Sequence, residues 1–164
     1  MRLIVSNTGP LISLEKLHQG HDFIRRLYDK VIIAPAVLEE VAVGQFDTPE
    51  EYLQHYAISD LIEVRMVSQA HELPEAERLH EGEIQAIQLA LELQLPLLIE
   101  ETVGRRVAQS VGIQISGIAG QIIKAFRQDL VAATEVHDKL SELLQTGRIN
   151  RKIYDALLAS LSEV

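Results

Sequence analysis

The chain has 164 residues, of which 47% are apolar but only 4% aromatic, so it can bury a single aliphatic core of Leu, Ile, Val and Ala. With 24 acidic against 15 basic residues its formal net charge is −9, which excludes a surface that grips nucleic acid by general positive charge. There is no cysteine, hence no disulfide framework and no thiolate zinc site, and a reducing cytoplasm is the expected location.

The elements follow in chain order. The opening MRLIVSNTGPLISL lacks a basic stretch ahead of a long apolar one, so it reads as a strand and a turn rather than a leader. Leu3 to Val5 form the strand, and a helical pattern runs from about Pro10 to Leu17. Gly20 interrupts that pattern, which resumes through Phe23, Ile24 and Leu27. Val31 to Ile33 is a second buried strand, and Pro35 opens a helix to about Ala42. Thr48-Pro49-Glu50-Glu51 starts a short surface helix to about Tyr56. Ile62 to Val67 alternates apolar and polar, as a strand with one exposed face does.

Residues 68–80 are polar and read as loop. Glu81 to Leu93 is strongly helical, and Pro96 to Ile99 is a further buried strand. Thr102 is the expected cap of a helix ending near Gly112. Ile113 to Ile115 is the last core strand, Ser116 the expected cap of the next helix, and two helices near 134–145 and 150–161 close the chain. No apolar run is long enough to cross a membrane. Short apolar runs alternating with helices predict one domain over 1–164, a three-layer α/β/α sandwich with a mainly parallel sheet. Ligands of such folds sit beyond the carboxyl ends of the strands.

Polar residues gather at those ends. Ser6-Asn7-Thr8 follows the first strand, Glu39 and Glu40 lie on the helix after the second, and Glu100-Glu101 follow the fourth. Glu83 shares a helical face with Ala86, Ile87 and Ala90, an apolar stripe on which a carboxylate needs a partner. The plainer reading is a first-turn acid favouring the helix dipole. Periodicity does not choose between Glu39 and Glu40, nor between Glu100 and Glu101, and each pair also reads as solvated helix acids. Converging carboxylates repel one another unless a cation intervenes, and hard oxygen ligands suit Mg²⁺ or Mn²⁺. Arg105 and Arg106, one turn after Glu101, either hold phosphate or pair with Glu100 and Glu101. Gly117 to Gly120 lacks the lysine of a phosphate loop, the six histidines show no ligand spacing, and no Ser-His-Asp arrangement is legible.

The segments VSNTGPLISLEKL, IIAPAVLEEV, GEIQAIQLALEL, LLIEETVGRRVAQSVG and GRINRKIYDALL together resemble the PIN-domain superfamily, and more closely its bacterial and archaeal subgroup of unknown function. The resemblance implies a Mg²⁺- or Mn²⁺-dependent ribonuclease cutting single-stranded RNA. It places the acidic positions at Asn7, Glu40, Glu83 and Glu101, as catalytic residues and metal ligands, with Thr8 as the hydroxyl residue beside the first. Thr8, Arg105 and Arg106 are the expected nucleic-acid contacts. Two positions depart from the family: Asn7 stands where Asp is usual, and Glu101 is longer than the usual Asp by one methylene. An amide offers a carbonyl oxygen without charge, so weakened metal binding and weak nuclease activity are expected. The resemblance also implies a homodimer and a small antitoxin-like partner protein. The alternative is a non-catalytic PIN-fold module that binds a partner protein or RNA. A receiver-type domain ranks below both, because Ser6-Asn7 does not supply its paired acids.

Overall fold

Leu3–Ser6 (β1) is the centre of the sheet. The computed structural model describes residues 1–162. Around β1, the strands Lys30–Ile33 (β2), Ile62–Val64 (β3), Leu97–Leu98 (β4) and Ile115–Ser116 (β5) lie in the order β3-β2-β1-β4-β5, and every pairing is parallel. Parallel strands joined by helices are covered on both faces, which is why Val5, Val31, Ile32, Ile33, Leu97 and Leu98 are wholly buried. Nine helices are described: Thr8–Glu15 (α1), Gly20–Arg25 (α2), Pro35–Ala42 (α3), Pro49–His55 (α4), Glu81–Leu93 (α5), Thr102–Ser110 (α6), Ile118–Arg127 (α7), Ala133–Gln145 (α8) and Arg151–Leu161 (α9). With the sheet they form the expected three-layer α/β/α sandwich. No described helix is long and apolar enough to cross a membrane.

The chain runs outward from β1 to β2 to β3, then returns to the other side of β1 for β4. This reversal puts the switch point of the sheet, the crevice in which open parallel sheets bind ligands, at the carboxyl ends of β1 and β4.

Several boundaries differ from the sequence reading. The first helix begins at Thr8, not Pro10, with extended Asn7 as its N-cap. Gly20 opens α2 because a Cβ there would collide with the Leu14 carbonyl oxygen. The β3 ladder ends at Val64, which is already 40% exposed on an edge strand, rather than at Val67. The last strand is Ile115–Ser116 rather than 113–115, set by the register Leu97↔Ile115 and Leu98↔Ser116. Glu101, not Thr102, caps α6, and Gly117, not Ser116, caps α7. The 68–80 loop contains one short 3-10 turn, Ala76–Arg78. The expected cap at Thr48 forms, its hydroxyl accepting from the Glu51 N–H at 3.3 Å.

Candidate metal centre

Asn7 leaves β1 at the crevice. Its N–H donates to the Leu98 carbonyl at 2.9 Å, which locks the end of β1 to the end of β4. The residue is 5% exposed, and its Oδ1 is buried with no donor facing it. A buried acceptor left unmatched is costly, so such an atom is a ready ligand for a cation.

Glu83 enters from α5. The apolar stripe of Ala86, Ile87 and Ala90 is packed into the core, and it carries Glu83 inward to 5% exposure. One oxygen does the work of the plainer reading: Oε1 accepts the His80 N–H at 3.0 Å at the start of the helix. The other, Oε2, is buried and faces no N–H or hydroxyl donor. The carboxyl group of Glu101 lies close to that of Glu83. Two carboxylates in contact cannot both ionise cheaply, so they share a proton. Burial first, and then the contact with Glu101, push the Glu83 pKa up to about 7.

Glu101 is the N-cap of α6, where its two oxygens accept the N–H groups of Val103 (3.1 Å) and Gly104 (2.7 Å). Burial works to raise its pKa, but the proton held by Glu83 and the two amide donors outweigh this, and the net shift is downward. Gly104 makes the approach possible. A Cβ on it would lie 2.7 Å from Glu83 Oε2 and 2.6 Å from Ile99 Cδ1.

Glu40 reaches the same end of the sheet from α3. It accepts the Thr8 hydroxyl at 2.6 Å and the Gly82 N–H at 3.1 Å. Gly82 is required here too, because a Cβ would collide with the Glu40 carboxylate. Thr8 thus holds the Glu40 carboxylate in place; both Glu39 and Glu40 are solvent-exposed, and the hydrogen bonds from Thr8 and Gly82 go to Glu40. Of the two acids left open by periodicity, Glu40 is the one tied to the crevice.

Glu100 is structural. Its oxygens accept from Ser13 (2.7 Å), from Arg148 (3.3 Å) and from the Ile118 N–H (2.9 Å). Arg148, which sequence reasoning did not single out, also donates to Ser13 Oγ and to the Gly9 carbonyl. The two arginines expected at phosphate are otherwise engaged. Arg106 donates twice to Glu75, at 2.9 and 3.2 Å, and Arg105 turns back to the Ile99 carbonyl at 2.8 Å. Neither forms the pair with Glu100 or Glu101 that helix spacing allowed.

Among the described residues no three His, Asp or Glu side chains stand arranged as a ready cage for a metal. Glu83 and Glu101 are closed on one another, and Glu40 is held by Thr8 and Gly82. The donor set nevertheless fits a hard divalent cation. It comprises two buried oxygens without donors, Asn7 Oδ1 and Glu83 Oε2, beside a carboxylate held ionised by amide dipoles. A cation in place of the proton shared by Glu83 and Glu101 would satisfy the unmatched Glu83 oxygen.

The fold is thus a parallel α/β/α sandwich with acidic and amide oxygens near the switch point of its sheet. The chain belongs to the PIN-domain family, whose model matches residues 3–163. That family includes metal-dependent nucleases. The fold is similar to that of a PilT N-terminus domain protein from the hyperthermophilic archaeon Sulfolobus solfataricus, at 22% identity over 72% of this chain and 87% of that one, with a TM-score of 0.52. A domain of a functionally unknown protein from Methanocaldococcus jannaschii matches at 20% identity over 71% of this chain and 91% of that one, with a TM-score of 0.43. Comparison with curated proteins gives no match.

Proposed function

We propose that this protein is a Mg²⁺- or Mn²⁺-dependent endoribonuclease of the PIN type, acting on single-stranded RNA in the cytoplasm through a weakened acidic site. The observations that support the reading are the coupling of buried Glu83 to Glu101 and the unmatched, buried Oδ1 of Asn7 at the end of β1. Glu83, Glu101, Asn7 and Glu40 would hold the ion, which when bound supplies a Lewis acid for the phosphodiester and lowers the pKa of its water. The residues themselves do three things. Glu83 releases its shared proton when the site is loaded, so loading is linked to pH. The Val103 and Gly104 amides keep Glu101 ionised and aimed. Thr8 and the Gly82 amide fix the rotamer of Glu40 at the crevice rim.

Asn7 brings an oxygen but no charge, so the site binds its ion less tightly than a four-carboxylate site would. Asn7 is also what favours the second reading, a non-catalytic module that binds RNA or a partner protein. The role of a toxin, held in check by a small antitoxin-like protein, and assembly as a homodimer belong to this same proposal.

Incubation of an unstructured RNA with the protein and Mn²⁺ decides between the readings. The nuclease reading predicts cleavage that is lost in the double variant Glu40→Gln, Glu83→Gln. Intact RNA at high protein concentration would instead support the binding module. Asn7→Asp is expected to raise cleavage and Mn²⁺ affinity about tenfold or more, because it adds the missing charge to the ligand set.

A further inference from the structure

We infer that the cavity at the free edge of β5 binds a small organic carboxylate, at a site apart from the metal centre. The cavity, of about 390 Å³, lies between α6, which contributes Gln109, and α7, which contributes Gln121 and Lys124. It reaches Pro96 and Leu97 at the start of β4, whereas Glu101 follows the other end of that strand. β5 is two residues long and ends the sheet, so no further described strand pairs with its outer side.

A chain of hydrogen bonds fixes what the cavity offers. Lys124 Nζ donates to the Tyr28 hydroxyl at 3.2 Å, and that hydroxyl donates its own proton to Gln121 Oε1 at 2.8 Å. Gln121 is only 4% exposed, and with its oxygen held by Tyr28 its amide nitrogen faces the other way. That nitrogen bonds to no described group yet is not sealed from solvent, so its N–H donors open onto the cavity. The Tyr28 hydroxyl takes one of the three Lys124 ammonium protons and leaves the others free. No acid lines the cavity, on a chain whose net charge is −9. Donors gathered without an acid select an anion. A single cation balances a single negative charge, so a carboxylate fits better than a doubly charged phosphate. Its two oxygens give one acceptor to the Lys124 ammonium and one to the Gln121 amide. Ile4, Leu97 and Ile115 supply an aliphatic wall for a short hydrocarbon body, with the exposed amides of Gln109 and Gln114 beside it. The site does not depend on the acidic crevice cutting RNA.

The test uses the whole chain, free of metal, titrated with butyrate while the Gln121 side-chain amide and the Ile methyls are followed by NMR. The expected result is saturable shifts at Gln121 and Ile115 with a Kd of about 1 mM. Butylammonium and butanol, which have the same hydrocarbon body without the negative charge, do not saturate. Inorganic phosphate binds about tenfold more weakly than butyrate. Lys124 is exposed, so Lys124→Met keeps the fold, which circular dichroism checks, and weakens butyrate about tenfold. Tyr28→Phe keeps the ring but frees the Gln121 amide, and it weakens butyrate about threefold or more. No saturation by about 100 mM butyrate, equal binding of butylammonium, tighter binding of phosphate, or indifference to both substitutions would overturn the inference.

Discussion

Glu83 holds a proton that an unfolded glutamate would have released, since its pKa is raised from 4.5 to about 7. The stability this gives the metal-free protein is full below the unfolded value of 4.5 and is lost as the pH rises to about 7. Glu101 behaves in the opposite sense. Its depressed pKa gives stability above 4.5 that is lost as the pH falls further, so the two windows do not overlap. Thermal or urea unfolding of the metal-free protein should therefore show wild type losing stability relative to Glu83→Gln across pH 4.5 to 7, by on the order of 1 kcal/mol or more. Parallel pH profiles for the two proteins would mean that Glu83 carries no shared proton. The same exchange predicts that Mn²⁺ stabilises wild type more at pH 8 than at pH 6, because loading must displace that proton.

At the scale of elements, the Glu100–Arg148 network ties four parts of the fold together: α1 through Ser13 and Gly9, the end of β4, the start of α7 through the Ile118 N–H, and the turn between α8 and α9. Arg148→Ala should lower unfolding stability by roughly 2 kcal/mol, less than a fully buried pair because both side chains keep some solvent contact. A loss below a few tenths of that in urea denaturation would show the network to be incidental. The sequence shows β1, β2 and β4 because strands buried on both faces must be continuous apolar runs. It misplaces the ends of β3 and β5 because the partner strand, not the side-chain pattern, decides where a ladder stops. Thr102 is the better cap by propensity, yet Glu101 takes the position because its carboxylate reaches two amides. Glu83 is legible from its apolar stripe. The close approaches that only Gly82 and Gly104 permit, and the pairing of Arg106 with Glu75 from 31 residues upstream, are long-range and leave no local signal.

For the whole molecule, a net charge of −9 sets the terms on which the proposed RNA substrate would be approached. The sheet's switch point concentrates several acids in one crevice, and unloaded they add to the repulsion. A divalent cation would offset most of that charge and set a local positive centre among the acids. The proposed activity rests on such an ion binding at the ends of β1 and β4. The most direct measurement is the change in melting temperature on adding Mn²⁺ at about pH 8, for wild type and for Glu40→Gln, Glu83→Gln. The account predicts a rise of roughly 3 °C or more in wild type at saturating Mn²⁺ and none in the double variant. An equal rise in both proteins, or no rise in either, would contradict it.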